Sequence, residues 1–219
     1  MILELSAEKL TAPETGKQMA LALDRQTSRA EAANGDFRTV HYGKSWEQFE
    51  HLHKCFEDSP GVRLSYYEGT IGILMPGVAH ELFKSVIGFL IEAFLLDREV
   101  EFFPTGSATQ KKEGIAATEP DESYEIQGVK LAVEINFTSG DESKLDRYRE
   151  LSVDEVWIWE DGVLCVYHLI DDEYKPVTSS RIPALSCINL VVLSNCILIG
   201  ETSRIKAAKN LLKAHPSKK

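Results

Sequence analysis

The sequence predicts an α/β (α+β) fold in which a mixed β-sheet is flanked by helices. Residues 79–96 carry a broad apolar stripe at helical spacing, which is typical of a helix buried against a sheet. Residues 129–137 form a strongly apolar run of strand length. Two β-rich runs, 62–68 and 70–75, meet at Glu68-Gly69, where the chain can turn or kink. A chain of 219 residues suits one well-buried domain with appendages.

Composition limits the class of protein. No apolar run is long enough to cross a bilayer, and the first ten residues lack the positive and apolar parts of a secretory signal, so we expect a cytoplasmic protein with no membrane partner. The four cysteines show no CxxC spacing, which argues against zinc or disulfide frameworks. A net charge of −10 argues against nonspecific coating of nucleic acid, which needs lysine and arginine, but does not exclude a nuclease.

The N-terminal third divides into an arm and the start of the domain. Residues 1–40 are polar and predict a mobile N-terminal arm, and the main domain is expected over residues 41–200. Ser45 is a helix N-cap with an acceptor at Gln48, and apolar residues repeat at helical spacing from Trp46 to Phe56. His51 and His53 would point to different faces of this helix, so solvated histidines are favoured over a shared metal site.

The remaining elements follow the long helix. They are a short strand at 100–103, a further strand at 106–112, the strand that carries Asp121, the apolar strand 129–137, a helix from Ser139 or Asp141 to about Leu151, and strands 153–159 and 163–168 joined by a hairpin at Asp161-Gly162. Residues 185–199 are apolar and fit a helix or a strand, of which a helix interrupted near Asn195 is favoured. Residues 201–219 predict a basic helix and tail with Ile205, Ala208 and Leu212 on one side, for which a solvated role is favoured over nucleic-acid binding.

Two acids and a lysine carry the chemistry that the sequence suggests. Asp121 and Glu134 lie on neighbouring β-type segments, and Lys144 follows on a helix where Tyr148, four residues later, shares its face. Two carboxylates can hold a hard cation through oxygen, and an ammonium group can position a water or stabilise a transition state. Asp121 alone would be an ordinary solvated turn residue.

Glu134 interrupts a strand that is otherwise apolar. A carboxylate at such a position is seldom buried unless it is paired or binds a cation. The alternatives to metal binding are a half-exposed strand with alternating burial, or a structural ion pair with Lys130 or Lys144. If Asp121 and Glu134 share a pocket, their charges repel each other when no cation is present.

Several stretches stand in an order typical of one known family. They are Arg63 to Thr70, Met75-Pro76 with His80-Glu81, Glu119-Pro120-Asp121, Val133-Glu134-Ile135, Thr138-Ser139, Lys144-Leu145 with Tyr148, and Val153 to Trp159. In this combination the chain resembles the Uma-type family, restriction-endonuclease-like proteins that are expanded in cyanobacteria and assigned to the P-D-(D/E)-x-K nuclease superfamily. The resemblance spans about residues 40–170, and the combination is more specific than any single motif.

The resemblance implies a restriction-endonuclease-like fold and roles for individual residues. Asp121 and Glu134 would be catalytic carboxylates that bind Mg²⁺ or Mn²⁺, and Lys144 would supply the ammonium group. Glu81 or His80, at the start of the long helix, would face the same pocket.

One position departs from the superfamily pattern. The usual lysine lies two residues after the second acid, where this chain has Asn136. The resemblance implies that the lysine has moved to the following helix as Lys144, and that Asn136 is a metal or water ligand or only a polar strand residue.

Two classes of function follow. The first is a Mg²⁺- or Mn²⁺-dependent DNA endonuclease, which the retained acids and lysine favour. The second is a noncatalytic nucleic-acid-binding or adaptor protein that kept the nuclease fold, which the overall acidity and Asn136 favour. A homodimer is a further expectation, because duplex cleavage needs two cuts on antiparallel strands and a two-fold pair of sites supplies them.

Overall fold

The computed structural model describes residues 28–33, 35–137 and 143–217, and within these the chain forms two six-stranded sheets and five helices. The strands are β1 (Ser28–Ala33), β2 (Asp36–His41), β3 (Arg63–Tyr67), β4 (Thr70–Met75), β5 (Phe102–Pro104), β6 (Gln110–Lys112), β7 (Ala116–Thr118), β8 (Glu122–Ile126), β9 (Val129–Asn136), β10 (Glu155–Glu160), β11 (Val163–Ile170) and β12 (Glu173–Val177). The helices are α1 (Trp46–Phe56), α2 (Val78–Asp97), α3 (Ser143–Glu150), α4 (Leu190–Gly200) and α5 (Arg204–Ala214).

The first sheet has the strand order β1-β2-β4-β3-β7-β6 and is antiparallel throughout. Alternate residues of β3 and β4, including Leu64, Tyr66 and Ile71, pack on one face against Phe49 of α1. Helix α1 begins with the predicted capping box, in which Ser45 and Gln48 bond each other's backbone amides. Helix α1 therefore covers one face of this sheet. The opposite face lies toward the end of β9 in the second sheet.

The second sheet has the order β12-β11-β10-β9-β8-β5, and the β9–β10 pair is parallel while its other pairs are antiparallel. The mixed sheet that the sequence predicts is therefore confirmed. The predicted hairpin between β10 and β11 is also present, with Asp161 and Gly162 both at positive φ, as a tight two-residue turn requires.

Helices cover both faces of the second sheet. The main core lies on one face, where α2, α4 and α5 pack on side chains such as Leu131, Val133 and Trp157. A smaller cluster lies on the opposite face, where Tyr148 of α3 packs with Ala132 and neighbouring strand residues. Because side chains alternate along a strand, Glu134 and Asn136 share the face of Ala132 and point toward α3.

The N-terminal region differs from its prediction. Residues 28–33 and 36–41, assigned by sequence largely to the mobile arm, form β1 and β2, and β2 pairs with β4 along five residues. The polar composition of this region gave no strand signal, because β2 is half-buried along most of its length and its buried end is the polar residue Asp36. Residues 1–27 lie outside the described residues, as do Ser139 and Asp141, the predicted caps of α3.

The C-terminal helices also differ in detail. Helix α4 runs without interruption through Asn195, which lies on its exposed side. Helix α5 buries Ala207 and Leu211 in the main core, whereas Ile205, expected on the apolar side, is 70% exposed. Among the described residues, no helix has the length and apolar character that crossing a membrane would require.

Candidate active site

A small polar cavity of about 60 Å³ lies where the open face of the first sheet meets the end of β9 and helix α3. Arg38 of β2 and Arg63 of β3 both pair with Leu74 of β4, so their side chains stand in one row on that face. Across the cavity lie Glu134 and Asn136 of β9. Other charged lining residues are Asp36, Glu119, Lys144 and Arg147.

Asp121 lies behind this cavity, immediately before β8, with its side chain 1% exposed. Its Oδ1 accepts a hydrogen bond from Arg63 Nη1 at 2.6 Å and lies 2.8 Å from His80 Nε2. Its Oδ2 accepts from the backbone amide of Ile135 at 2.7 Å. Burial raises the pKa of Asp121, but the hydrogen bond and charge of His80 and the charges of Arg63 and Lys144 outweigh burial and hold the pKa below its ordinary value.

His80, in the first turn of α2, bridges two buried carboxylates. Its Nδ1 lies 2.8 Å from Asp36 Oδ2, while its Nε2 faces Asp121. Burial lowers the pKa of His80, but the hydrogen bonds and charges of Asp121 and Asp36 outweigh it and raise the pKa above its ordinary value. The other oxygen of Asp36 accepts from Gly77 N at 2.6 Å, which ties β2 to the start of α2. His80 therefore holds Asp121 in a fixed orientation.

Arg63 was given no role by the sequence analysis, yet it connects the two sides of the site. Its Nη1 contacts Asp121 and donates to the carbonyl of Pro120 at 3.1 Å. Its Nη2 donates to Glu81 Oε1 at 2.7 Å. Glu81 thus reaches the site through Arg63. The only indication of this role in the sequence is that alternation along the strand places Arg63 on the face opposite Leu64.

A second cluster surrounds Glu134, which is 6% exposed. Lys144 Nζ lies 2.9 Å from Glu134 Oε2 and donates to Asn136 Oδ1 at 2.6 Å. The hydroxyl of Tyr148, one helical turn from Lys144, donates to Glu134 Oε1. Burial, followed by the charge and hydrogen bond of Glu134, raises the pKa of Tyr148 well above its ordinary value. Of the alternatives left open for Glu134, the ion pair with Lys144 is present.

The two clusters are adjacent. Glu122 pairs with Val133 in the β8–β9 ladder, and extending this register by one residue brings Asp121 opposite Glu134. The amide that binds Asp121 belongs to Ile135, the residue after Glu134. The sequence-predicted residues thus gather in two neighbouring groups. In the first, His80 contacts Asp121, and Arg63 links Asp121 to Glu81. In the second, Lys144 and Tyr148 contact Glu134, and Lys144 also bonds Asn136.

The oxygen donors suit a hard divalent cation, since Asp121, Glu134 and Asn136 offer carboxylate and amide oxygens. Within the described ranges, no group of three or more histidine, cysteine, aspartate or glutamate side chains has an arrangement ready to hold a metal ion. Instead, Arg63 pairs with Asp121 and Lys144 with Glu134. The residues present fit a cation by their chemistry, and each carboxylate would share its charge between that cation and a protein partner.

Comparison with known proteins gives one family match. A family model described as "Uma2: Putative restriction endonuclease" matches residues 46–188, more than half of the chain. The matched region begins at α1 and ends after β12, so it includes the residues around Asp121 and Glu134. No curated protein matches the chain. Restriction-endonuclease-like families usually use divalent metals.

Proposed function

The chain belongs to the Uma2 family, and we propose that it is a divalent-metal-dependent endonuclease that hydrolyses phosphodiester bonds in DNA. The observation that carries the proposal is the meeting of two buried carboxylates, Asp121 and Glu134, with the ammonium group of Lys144 at the end of β9. Carboxylates at such burial need compensation by cations. A phosphodiesterase site supplies a reason for gathering both charges beside an open cavity.

Asp121 and Glu134 would hold Mg²⁺ or Mn²⁺, with the amide oxygen of Asn136 as a further ligand for the metal or its water. A bound divalent ion supplies charge neutralisation at the scissile phosphate and a lowered pKa of the attacking water. Tyr148 and His80 are positioning residues in this proposal, because they fix the orientation of Glu134 and Asp121 through direct contacts. Glu81 orients Arg63 from the rim.

Lys144 would position the attacking water or stabilise the charge that develops on the phosphate. The superfamily's usual lysine position is Asn136, and the ammonium group of Lys144 reaches within 2.6 Å of Asn136 Oδ1. Helix α3 therefore places the ammonium group of Lys144 beside the end of the Asn136 side chain. This contact supports the assignment of the superfamily lysine's role to Lys144.

One observation favours the second candidate function, a noncatalytic nucleic-acid-binding or adaptor protein. Arg63 and Lys144 already neutralise the two carboxylates at 2.6 and 2.9 Å, so the site is electrostatically satisfied by the protein alone. A protein that had lost metal chemistry could keep such pairs as structural ion pairs.

A plasmid-nicking assay distinguishes the two candidate functions. We expect supercoiled plasmid to be nicked when Mn²⁺ or Mg²⁺ is added and not when EDTA removes the ion. Asp121→Asn and Glu134→Gln should lower the rate by at least about 10²-fold, the scale for loss of one electrostatic transition-state contact. Glu125→Gln, an exposed position on β8, is the matched control and should cleave normally. Absence of nicking with both ions, or normal rates in both site variants, overturns the proposal.

We also propose that the enzyme acts as a homodimer, because paired identical sites supply the two cuts of duplex cleavage. Light scattering coupled to size-exclusion chromatography should give twice the mass of the chain at high micromolar concentration. A monomer at that concentration contradicts this part of the proposal.

A further inference from the structure

A second, larger cavity adjoins the small one and has no role in the proposed chemistry. Its volume is about 870 Å³, and Arg63, Leu64 and Glu119 line both cavities. The two spaces therefore meet at these three residues. Glu81 and Lys84 of α2 stand at the edge of the large cavity, next to Arg63.

The two cavities have sizes that suit different parts of a nucleotide. A single water needs on the order of 10–15 Å³ measured in the same way, so the small cavity holds a few waters, a hydrated ion or one phosphoryl group, and no nucleoside. The large cavity falls within the range of about 300–1,000 Å³ that is typical of small-molecule sites. A phosphate in the small cavity would leave its attached nucleoside beside the large one.

The lining of the large cavity carries a connected set of hydrogen-bonding groups. His53 Nε2 lies 3.2 Å from Thr109 Oγ1 and 3.6 Å from Glu119 Oε1, and Thr109 donates to Glu119 at 3.3 Å. His53 was expected to be solvated, but its side chain is only 20% exposed and its ring packs near Phe49.

The rest of the lining mixes the apolar side chains Phe56, Val62, Pro60 and Pro76 with polar and charged ones, which include Glu57, Asp58 and Ser107. Small-molecule sites combine apolar surface with polar groups that fix the orientation of the ligand. A nucleobase has this mixed character, since its faces are apolar and its edges carry donors and acceptors. Glu119 suits an exocyclic amino or ring N–H donor, and Thr109 and His53 can donate or accept beside it.

We propose that the large cavity binds the nucleoside next to the scissile phosphate, with Glu119, Thr109 and His53 contacting the base edge. The inference rests on the proposed function, since it takes the small cavity as the phosphate site. A base that is stacked in a duplex cannot enter a cavity beside its own backbone. The enzyme is therefore expected to favour an unpaired or extruded nucleotide at this position.

Binding by calorimetry in metal-free buffer tests the cavity. The probes are inorganic phosphate, the four deoxynucleosides and the four deoxynucleoside monophosphates. We expect at least one monophosphate to bind at least tenfold more tightly than either phosphate or its own nucleoside. Thr109→Val and His53→Ala should each reduce that advantage and leave phosphate binding unchanged. His51→Ala, two residues away on an exposed position of α1, is the matched control and should keep the full advantage.

A short single-stranded oligonucleotide distinguishes a nucleotide within a strand from a free mononucleotide. We expect the oligonucleotide to bind more tightly than the monophosphate and more tightly than the same sequence in a duplex. The inference is overturned if every monophosphate binds no better than phosphate, if both cavity variants keep the full advantage, or if only the free mononucleotide binds.

The nicking assay keeps this inference separate from the proposed function. A protein that nicks plasmid with metal but shows no preference for monophosphates over phosphate overturns the nucleoside site alone. A protein that shows the monophosphate pattern but never nicks overturns the endonuclease proposal, and its cavity remains a nucleotide-binding site.

Discussion

Each proposed metal-binding carboxylate is held by cations and hydrogen-bond donors of the protein. Asp121 accepts three bonds, from Arg63, His80 and the Ile135 amide, and a carboxylate has about four lone-pair sites in all. Glu134 contacts Lys144 and Tyr148. At residue scale the site is therefore a set of buried charges that compensate one another. Loss of one partner leaves the others buried without a compensating charge.

Asp121→Asn should lower the free energy of unfolding in metal-free buffer. If only the repulsion between the two acids is counted, Asp121→Asn should change stability little or raise it. Arg63 and His80, whose pKa is raised, instead make the Asp121 carboxylate stabilising, so its loss should lower stability. Removing one partner of a buried pair costs about 3–5 kcal/mol. Urea unfolding measures the change, and Asp171→Asn in the exposed β11–β12 turn is the control. A variant as stable as the parent contradicts this electrostatic description.

Lys144→Ala should separate catalysis from metal binding. Because Lys144 is not a proposed ligand, added Mn²⁺ should still raise Tm, by an amount that grows with ion concentration. Nicking should fall by about 10²–10³-fold, since one transition-state donor is lost. Lys112→Ala is the control, because Lys112 also pairs with an acid of α3, Glu150, but lies 47% exposed. Undiminished nicking by Lys144→Ala would remove Lys144 from the mechanism.

At the scale of helices and strands, local signals predicted most elements. The capping box of α1, the apolar stripe of α2 and the Asp161-Gly162 hairpin each come from one continuous stretch of sequence, so each was predicted near its observed position. The break near Asn195 was wrong, because packing of α4 in the core outweighs the modest helix propensity of one exposed asparagine.

Helix α4 approaches α2 closely at Gly200, and this contact can be tested. A Cβ at Gly200 would overlap Cγ1 of Val86, which is fully buried. Gly200→Ala should therefore cost about 1–3 kcal/mol of stability through overpacking. Adding Val86→Ala should make the combined loss smaller than the sum of the two single losses, because it removes the overlapping methyl groups. Urea unfolding of both single variants and the double variant measures the coupling, and strict additivity contradicts the close packing.

At the scale of the whole molecule, the site depends on contacts that no sequence pattern marks. Asp36 contacts His80 across 44 residues, and Arg63 contacts Asp121 across 58. Asp36 lay in a region predicted as a mobile arm, and Arg63 resembled an ordinary polar residue of an alternating strand. Glu134 could be singled out because a charge inside an apolar strand is a local anomaly. Arg63 and Asp36 were missed because only tertiary packing brings them to Asp121 and His80.

The most direct test of the central claim is a crystal soaked in Mn²⁺ and examined by anomalous scattering. We predict one strong peak between Asp121 and Glu134, with an oxygen of each carboxylate at about 2.0–2.3 Å from the ion. The same soak of Asp121→Asn crystals should lose the peak. An anomalous peak at another place would contradict a shared cation. So would carboxylates of Asp121 and Glu134 more than about 10 Å apart, because no single ion at those bond lengths could contact both.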